Sequence, residues 1–175
     1  HAVRGKNSAE LLIGKKITVH GDPGLLCDRL LPSHSTVPKK FRIGLIPHYK
    51  DVESPAVKDF VNEHPDCCVI DVFSETIEYL NRVAQCDFIL SSSLHGLIAA
   101  DSLGVPNHWI ELSDKVVGNG FKFFDYYSVF DIDAPTPMTL GECNDQKIEQ
   151  LATTYARPNL GHIKESLLQA FPFLP

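Results

Sequence analysis

The sequence predicts an α/β fold in which a Rossmann-like parallel sheet is flanked by helices. Short apolar runs typical of buried strands alternate with amphipathic helical segments, and successive strands lie about 20 residues apart. Runs such as 43–46 and 69–72 are largely apolar, which suits strands covered by helices on both faces. With 175 residues, 43% of them hydrophobic, the chain can bury one full core.

The composition of the chain changes along its length and suggests three parts. We interpret residues 1–30, a strand–helix–strand unit too short for a domain, as the end of an otherwise absent N-terminal α/β domain. Residues 31–40 are rich in Pro, Ser and Lys and predict a linker. Residues 41–175 are predicted to form a C-terminal Rossmann-like domain. Since the chain starts at His1 and its only methionine is Met138, we expect further residues upstream.

The first half of the chain predicts four strands and three helices. Short strands are expected at 2–4 and 17–20, separated by a helix over 9–13 that Ser8 caps. A strand over 41–46 precedes a helix over 55–64 and a strand over 67–72. Ser74 then caps a helix whose inward positions are Ile77, Leu80, Val83 and Ala84.

The second half continues the alternation and then departs from it. Phe88–Leu90 is a strand, 94–103 a helix that ends at Gly104, and 109–112 a further strand. Residues 118–130 predict an irregular aromatic segment because they are rich in Phe, Tyr and Gly. Two helices, over 145–155 and 160–170, are expected to complete the chain.

Composition argues against several functional classes. The formal net charge is −6 and the isoelectric point about 5.7, with no basic cluster larger than a lysine pair, so a nucleic-acid partner is not expected. No apolar run approaches the roughly 18 residues of a transmembrane helix. The five cysteines form no CxxC pair or zinc-type spacing, which favours a reduced, cytoplasmic protein.

The junction Ser91-Ser-Ser-Leu-His-Gly96 is the most informative motif, because it joins a strand to a helix N-terminus. In parallel α/β sheets, ligands bind beyond the carboxyl ends of the strands. Unpaired amides and the helix dipole favour an anion there, and His95 can move a proton near neutral pH. A capped helix with a surface histidine is the alternative interpretation.

Polar side chains also follow other predicted strands. Arg4, His20 with Asp22, and His48 with Tyr49 lie at strand ends, where a parallel sheet would bring those of one domain together. Taken singly, each also suits a structural histidine, a turn or a surface charge. In the segment 118–128, Lys122 and Asp125 lie among aromatic residues and could present a cation to a phosphate or carboxylate. Packing of this segment under the sheet edge remains open.

These segments together resemble the polysaccharide pyruvyl transferase family. The resemblance extends along about residues 2–128, with Lys6 where many relatives have proline. The matching segments are Val3-Arg4-Gly5 with Ser8, Gly21-Asp22-Pro23-Gly24-Leu25-Leu26, Ile43–Tyr49, Ser91–Ile98 and Gly120–Tyr127. The resemblance implies the C-terminal half of a two-domain fold like that of GT-B glycosyltransferases. The implied reaction transfers pyruvate from phosphoenolpyruvate to a sugar as a ketal and releases phosphate.

The resemblance also implies roles for individual residues, with no cofactor or metal required. His95 is the expected general acid. Arg4 or Lys122 would pair with the donor carboxylate, and His48 is a further substrate-binding candidate. The phosphate would be held by Ser92, Ser93 and Leu94, and the acceptor hydroxyls by Asp125, Tyr126 or the absent domain.

The expected partners are phosphoenolpyruvate and a sugar or lipid-linked oligosaccharide acceptor of an exopolysaccharide or cell-surface glycan. The expected location is cytoplasmic, with peripheral association at the inner face of the membrane as an option. We expect this chain to be inactive without its upstream domain. Two alternatives stay open: a GT-B glycosyltransferase that uses a nucleotide-sugar, and a non-catalytic glycan-binding or assembly module.

Overall fold

A four-stranded parallel sheet with helices on both faces forms the centre of the computed structural model, which describes residues 2–113 and 119–170. Its strands are β3 (Phe41–Ile46), β4 (Cys67–Val69), β5 (Cys86–Ser91) and β6 (Asn107–Trp109), in the order β4-β3-β5-β6. Two earlier strands, β1 (Ala2–Val3) and β2 (Val19–His20), form a separate parallel pair. The predicted parallel α/β architecture is therefore confirmed.

Seven α-helices lie within the described residues. They are α1 (Lys6–Glu10), α2 (Pro55–Glu63), α3 (Thr76–Ala84), α4 (Leu94–Leu103), α5 (Phe121–Tyr127), α6 (Asp145–Thr154) and α7 (Leu160–Gln169). Short 3-10 segments occur at Pro23–Leu30, His34–Thr36, Ser128–Phe130 and Leu140–Glu142.

Alternating side chains of β3 and β5 enter two different apolar clusters, as the two-residue period of a strand requires. On one face, Ile46 and Ile89 pack with side chains of α3 and α4. On the other, Leu45 and Leu90 pack with side chains of α2 and α6. Helix α4 is buried almost all round, which explains why its sequence is apolar on every face.

A third apolar cluster connects the early residues to the later helices. Leu25 packs with residues of α4, α5 and α7, and the Ser102 hydroxyl donates to the Leu25 carbonyl at 2.7 Å. Lys164 in α7 pairs with Asp28 at 3.0 Å. The 3-10 segment of residues 23–30 is thus attached to α4 and α7. The proposed division at residues 30 and 40 stays a prediction.

Several element predictions need correction. Helix α1 begins at Lys6, so Ser8 lies inside the helix and does not cap it. The amide and hydroxyl of Ser8 donate instead to a carboxylate of α5. Glu75, not Ser74, caps α3, and Ile77 points outward with 40% of its surface exposed. The segment expected to be irregular forms α5 from Phe121 onward, while Gly118 lies outside the described residues. Strand β6 ends at Trp109, and beyond it Ile110 forms a single bridge with Met138.

Candidate functional site

A cleft of about 700 Å³ lies at the carboxyl edge of the central sheet. The parallel register places the ends of β3 and β5 side by side, with Ile46 opposite Ser91. Residues that follow these strands therefore meet at one edge. Polar side chains that line the cleft come from the ends of β1 and β3, the start of α4 and the first turn of α5; they are Arg4, His48, Tyr49, Ser93, His95 and Lys122.

The serine turn after β5 is held by bonds to β3. The Ser91 hydroxyl contacts the carbonyl oxygens of Ile46 and Ser93 at 3.0 and 2.8 Å and accepts the Ser93 amide at 3.1 Å. The Ser92 hydroxyl accepts the His48 amide at 2.8 Å, and the Ser92 amide donates to Ile46. Two of the three serine side chains thus fix the position of His48 relative to α4.

The start of α4 faces the cleft with His95 exposed at its second residue. No described residue hydrogen-bonds the His95 imidazole. The amides of Ser92 and Ser93 are already paired, whereas those of Leu94 and His95 belong to the first helical turn and have no intrahelical partner. These two amides and the helix dipole give this wall of the cleft a positive potential, which favours an anion.

Gly96 allows α4 to approach the strand ends this closely. A Cβ atom at this position would overlap the Ser91 hydroxyl and lie 3.0 Å from Ile46 Cγ2. The glycine of the Leu-His-Gly motif is therefore explained by geometry, because the residue that follows His95 must have no side chain.

Arg4 is held in the cleft by a buried carboxylate. Its Nε atom donates to Asp125 Oδ2 at 3.1 Å, and Asp125 also accepts the Ser8 amide and hydroxyl at 2.8 and 2.7 Å. Gly5 packs so closely on Asp125 that a Cβ atom would overlap it. No described residue pairs with the terminal Nη atoms of Arg4, so this part of the guanidinium can bind a ligand.

The pKa values of Lys122 and His48 are both lowered in the cleft. Burial, and then the charge of Arg4, lower the pKa of Lys122. Burial also lowers the pKa of His48, with a further contribution from Lys122. The ring of Phe123, the residue next to Lys122, stacks on Trp109 with centroids 4.2 Å apart, which fixes the first turn of α5 over the end of β6. The cleft thus collects positive charge and keeps His48 neutral near pH 7.

Three predicted binding residues do not line the cleft, because their side chains are buried and bonded to other residues of the protein. Ser92 and Asp125 are buried, and their side-chain oxygens already bond to His48, Arg4 and Ser8. Tyr126 is also fully buried, and its hydroxyl donates to Asp101 at 2.6 Å. Asp125 orients Arg4. Arg4, His48, Ser93, Leu94, His95 and Lys122 do line one cleft.

The structure also separates some residues from the site and adds others. Asp22 accepts the Gly24 amide at 2.9 Å and caps the 3-10 segment of residues 23–30, as the turn interpretation predicted. Phe73 and Tyr79 line the cleft although neither was singled out in the sequence. They follow β4, the strand next to β3, and this position is the signal that could have identified them.

Two kinds of feature are absent from the residues that the structure describes. Within them, no group of three or more His, Cys, Asp or Glu side chains is arranged to hold a metal ion. No helix in residues 2–113 or 119–170 has both the length and the apolar character needed to cross a membrane.

Comparison with known proteins identifies the family and two relatives. The family model described as polysaccharide pyruvyl transferase matches residues 1–114. The chain is 33% identical over 142 residues to the uncharacterized protein L143 of Acanthamoeba polyphaga mimivirus, which covers 76% of this chain and 48% of L143. It is 28% identical over 99 residues to the succinoglycan biosynthesis protein ExoV of Rhizobium meliloti (strain 1021), covering 55% of this chain and 29% of ExoV.

The chain thus spans about half the length of one of these relatives and less than a third of the other. No solved structure matches it significantly. The predicted two-domain, GT-B-like arrangement therefore stays a prediction.

Proposed function

Because this chain belongs to the polysaccharide pyruvyl transferase family, we propose that its cleft binds phosphoenolpyruvate and serves transfer of pyruvate to a sugar. The product would be a ketal on an exopolysaccharide or cell-surface glycan, with release of phosphate. The observation that carries this proposal is the convergence of Arg4, Lys122, His48 and His95 on one cleft.

The charges of the cleft match the donor. Phosphoenolpyruvate carries a carboxylate and a phosphate on a three-carbon skeleton. The free Nη edge of Arg4 suits bidentate binding of the carboxylate. Lys122, Ser93 and the amides of Leu94 and His95 suit the phosphate. Asp125 neutralises one side of Arg4 and fixes the direction in which the other side points.

The two histidines suit the proton transfers of ketal formation. His95, in its protonated form, gives a proton to the methylene carbon, and the first acceptor hydroxyl adds to the neighbouring carbon while His48 accepts its proton. The C–O bond to phosphate then breaks with its electron pair on phosphate. The second hydroxyl adds to the resulting cation and returns a proton to His95, and His48 passes its proton to phosphate. All protons and charges balance without another reactant.

The proposed acceptor is a sugar or lipid-linked oligosaccharide. We place the protein in the cytoplasm, with peripheral contact at the inner face of the membrane where such an acceptor would be reached. In support, Cys27, Cys67, Cys68, Cys86 and Cys143 are all free thiols, as expected in a reducing compartment.

The test is made on the natural protein in which this chain occurs. Phosphate release is measured with phosphoenolpyruvate and a set of oligosaccharide acceptors, and nucleotide release is measured with nucleotide-sugars in parallel. His95→Ala should lower kcat by about 10²–10⁴-fold, the usual contribution of a general acid. His162→Ala is the matched control, because His162 is an exposed histidine of α7 outside the cleft.

The results distinguish this function from its alternatives. Normal turnover in the His95→Ala protein contradicts the acid role of His95. Nucleotide release without phosphate release favours a glycosyltransferase, and binding of glycans without either product favours a non-catalytic module. His48→Gln should lower kcat and remove the acidic limb of the pH–rate profile, since the neutral imidazole is the form that accepts a proton.

A further inference from the structure

We propose that Tyr49 and Phe73 form a platform on which a pyranose ring of the acceptor stacks. The inference rests on the proposed function, because it places the acceptor in the same cleft as the anionic donor. It assigns binding to two side chains that have no role in the proton transfers.

The two rings form a row with His48, in which neighbouring ring planes are tilted by 37° and 58°. The centroids of His48 and Tyr49 are 4.5 Å apart, and those of Tyr49 and Phe73 are 5.9 Å apart. All three residues line the cleft that contains Arg4 and Lys122. One end of the row is His48, whose imidazole is proposed to accept the hydroxyl proton. The other end is Phe73, where the sugar that bears this hydroxyl would lie.

The exposure of these rings is high for apolar side chains. Phe73 is 76% exposed, the largest value of any aromatic residue in the described part of the chain, and Tyr49 is 51% exposed. Single exposed apolar residues are common, but adjoining rings at a cleft indicate a binding site. Leaving them in water loses hydrophobic stabilisation that a ligand can recover.

Phe73 is nevertheless held in place through its backbone. Its amide donates to Asp71 Oδ1 at 2.9 Å, and the next amide, of Ser74, donates to the Asp71 carbonyl at 3.2 Å. Val72, within this turn, and Tyr79, in the helix that follows it, pack against the core cluster between the sheet and α3. The ring is thus presented to the cleft by an anchored turn, which reduces the entropy lost when a ligand binds.

The chemistry of the platform suits an uncharged sugar ring. The face of an aromatic ring is weakly negative and attracts the polarised C–H groups on one side of a pyranose. The cations of the cleft are matched by the carboxylate and phosphate of the donor, whereas the rings of Tyr49 and Phe73 are uncharged. Lys50 Nζ lies 5.9 Å from the centroid of the Tyr49 ring. The cleft volume of about 700 Å³ lies in the range that accommodates ligands larger than the donor alone.

The test uses saturation-transfer NMR on the intact chain with the methyl glycosides of glucose, galactose and mannose as probes, together with UMP and inorganic phosphate. At least one glycoside should show saturation of the C–H groups on one face. Phe73→Ala should reduce this signal at least fivefold, and Phe73→Trp should retain it. Leu30→Ala, an exposed apolar residue outside the cleft, is the control and should leave the signal unchanged.

Each result decides the proposal. Loss of the glycoside signal in Phe73→Ala, with the fold unchanged by circular dichroism, supports the platform. The proposal is overturned if no glycoside binds or if glycoside binding is unaffected by Phe73→Ala. It is also overturned if only the binding of UMP is weakened by Phe73→Ala, which would indicate stacking of a nucleobase. Phosphate binding reports separately on the donor site, so failure of the proposed donor leaves the glycoside result interpretable.

Discussion

Positively charged side chains face a cleft at the carboxyl edge of the central sheet, whereas at its amino edge one is paired inside the protein. At the carboxyl edge, Lys122 and the Nη atoms of Arg4 face a cleft. At the amino edge, where β6 begins, Arg157 is buried and donates to Asp101 Oδ2 at 2.8 Å and to Asn107 Oδ1 at 3.2 Å. Asp101 also accepts the hydroxyls of Tyr126 and Tyr155 at 2.6 and 2.8 Å.

The difference separates a group that maintains the fold from a group that can bind a ligand. Burial and the neighbouring Asp101 raise the pKa of Tyr126, so its phenol stays protonated and donates to the carboxylate. Arg157 and Asp101 therefore have their partners inside the protein, and neither charge is available to a ligand. At the carboxyl edge the cations have spare hydrogen-bonding capacity, which makes this edge the place where an anion would add stability.

The largest expected loss of stability comes from a substitution at the amino edge. Arg157→Leu leaves the Asp101 carboxylate buried without its cation and should lower the free energy of unfolding by about 3–5 kcal/mol. Lys122→Met should change it by no more than about 0.5 kcal/mol, because this side chain faces the cleft. Urea unfolding monitored by circular dichroism measures both. Equal destabilisation by the two substitutions would contradict the distinction drawn between the edges.

A substitution at Gly96 tests how the carboxyl edge is built. Gly96→Ala introduces a Cβ atom into the contact with Ser91 and Ile46 and should destabilise the protein by about 1–3 kcal/mol. Gly161→Ala is the matched control, since its Cβ atom in α7 meets nothing within 4 Å. There the better helix propensity of alanine should stabilise by roughly 0.5–1 kcal/mol. Thermal unfolding should give a lower Tm for Gly96→Ala and a higher Tm for Gly161→Ala. Shifts of Tm in the same direction would contradict the packing argument.

Ser8 connects stability with binding at the carboxyl edge. Ser8→Ala removes a hydroxyl that donates to Asp125 and should destabilise the protein by about 1–2 kcal/mol. Because Asp125 fixes the direction of Arg4, the Kd of phosphoenolpyruvate should also rise, by about tenfold if one charge-assisted contact is weakened. Calorimetric titration measures the Kd. An unchanged affinity would show that Arg4 keeps its orientation without Ser8.

The smallest expected effect is the pH dependence of stability. Burial lowers the pKa of both His48 and His108 below the usual value of about 6.5. The unfolded chain therefore binds more protons, so stability is highest above pH 6.5 and falls as the pH decreases below that value. His108→Gln should reduce this fall more than His48→Gln, because His108 is more deeply buried. The free energy of unfolding of both variants, measured between pH 5 and 8, tests this difference. A larger effect of His48→Gln than of His108→Gln would contradict the prediction.

Much of the fold could be predicted because its elements have local signals. The apolar run 43–46 was correctly predicted as a buried strand, and Leu94–Leu103 was predicted with the bounds that the structure has. The second run, 69–72, was wrong, because β4 ends at Val69, which is 37% exposed. Helix α5 was missed because aromatic residues and glycines obscure helical periodicity. Its stability comes instead from tertiary contacts such as the stacking of Phe123 on Trp109.

The candidate site could likewise be predicted only in part from the sequence. The sequence by itself determined that His95 would begin a helix after β5 and that His48 would follow β3, because strand ends and helix starts are marked by local residue patterns. Only the tertiary structure decided that the Asp125 carboxylate is buried and bonded to Arg4 and Ser8. It also placed Phe73 beside Tyr49. These facts depend on contacts between distant segments, and a residue's type does not reveal whether its polar atoms will face a neighbour or a ligand.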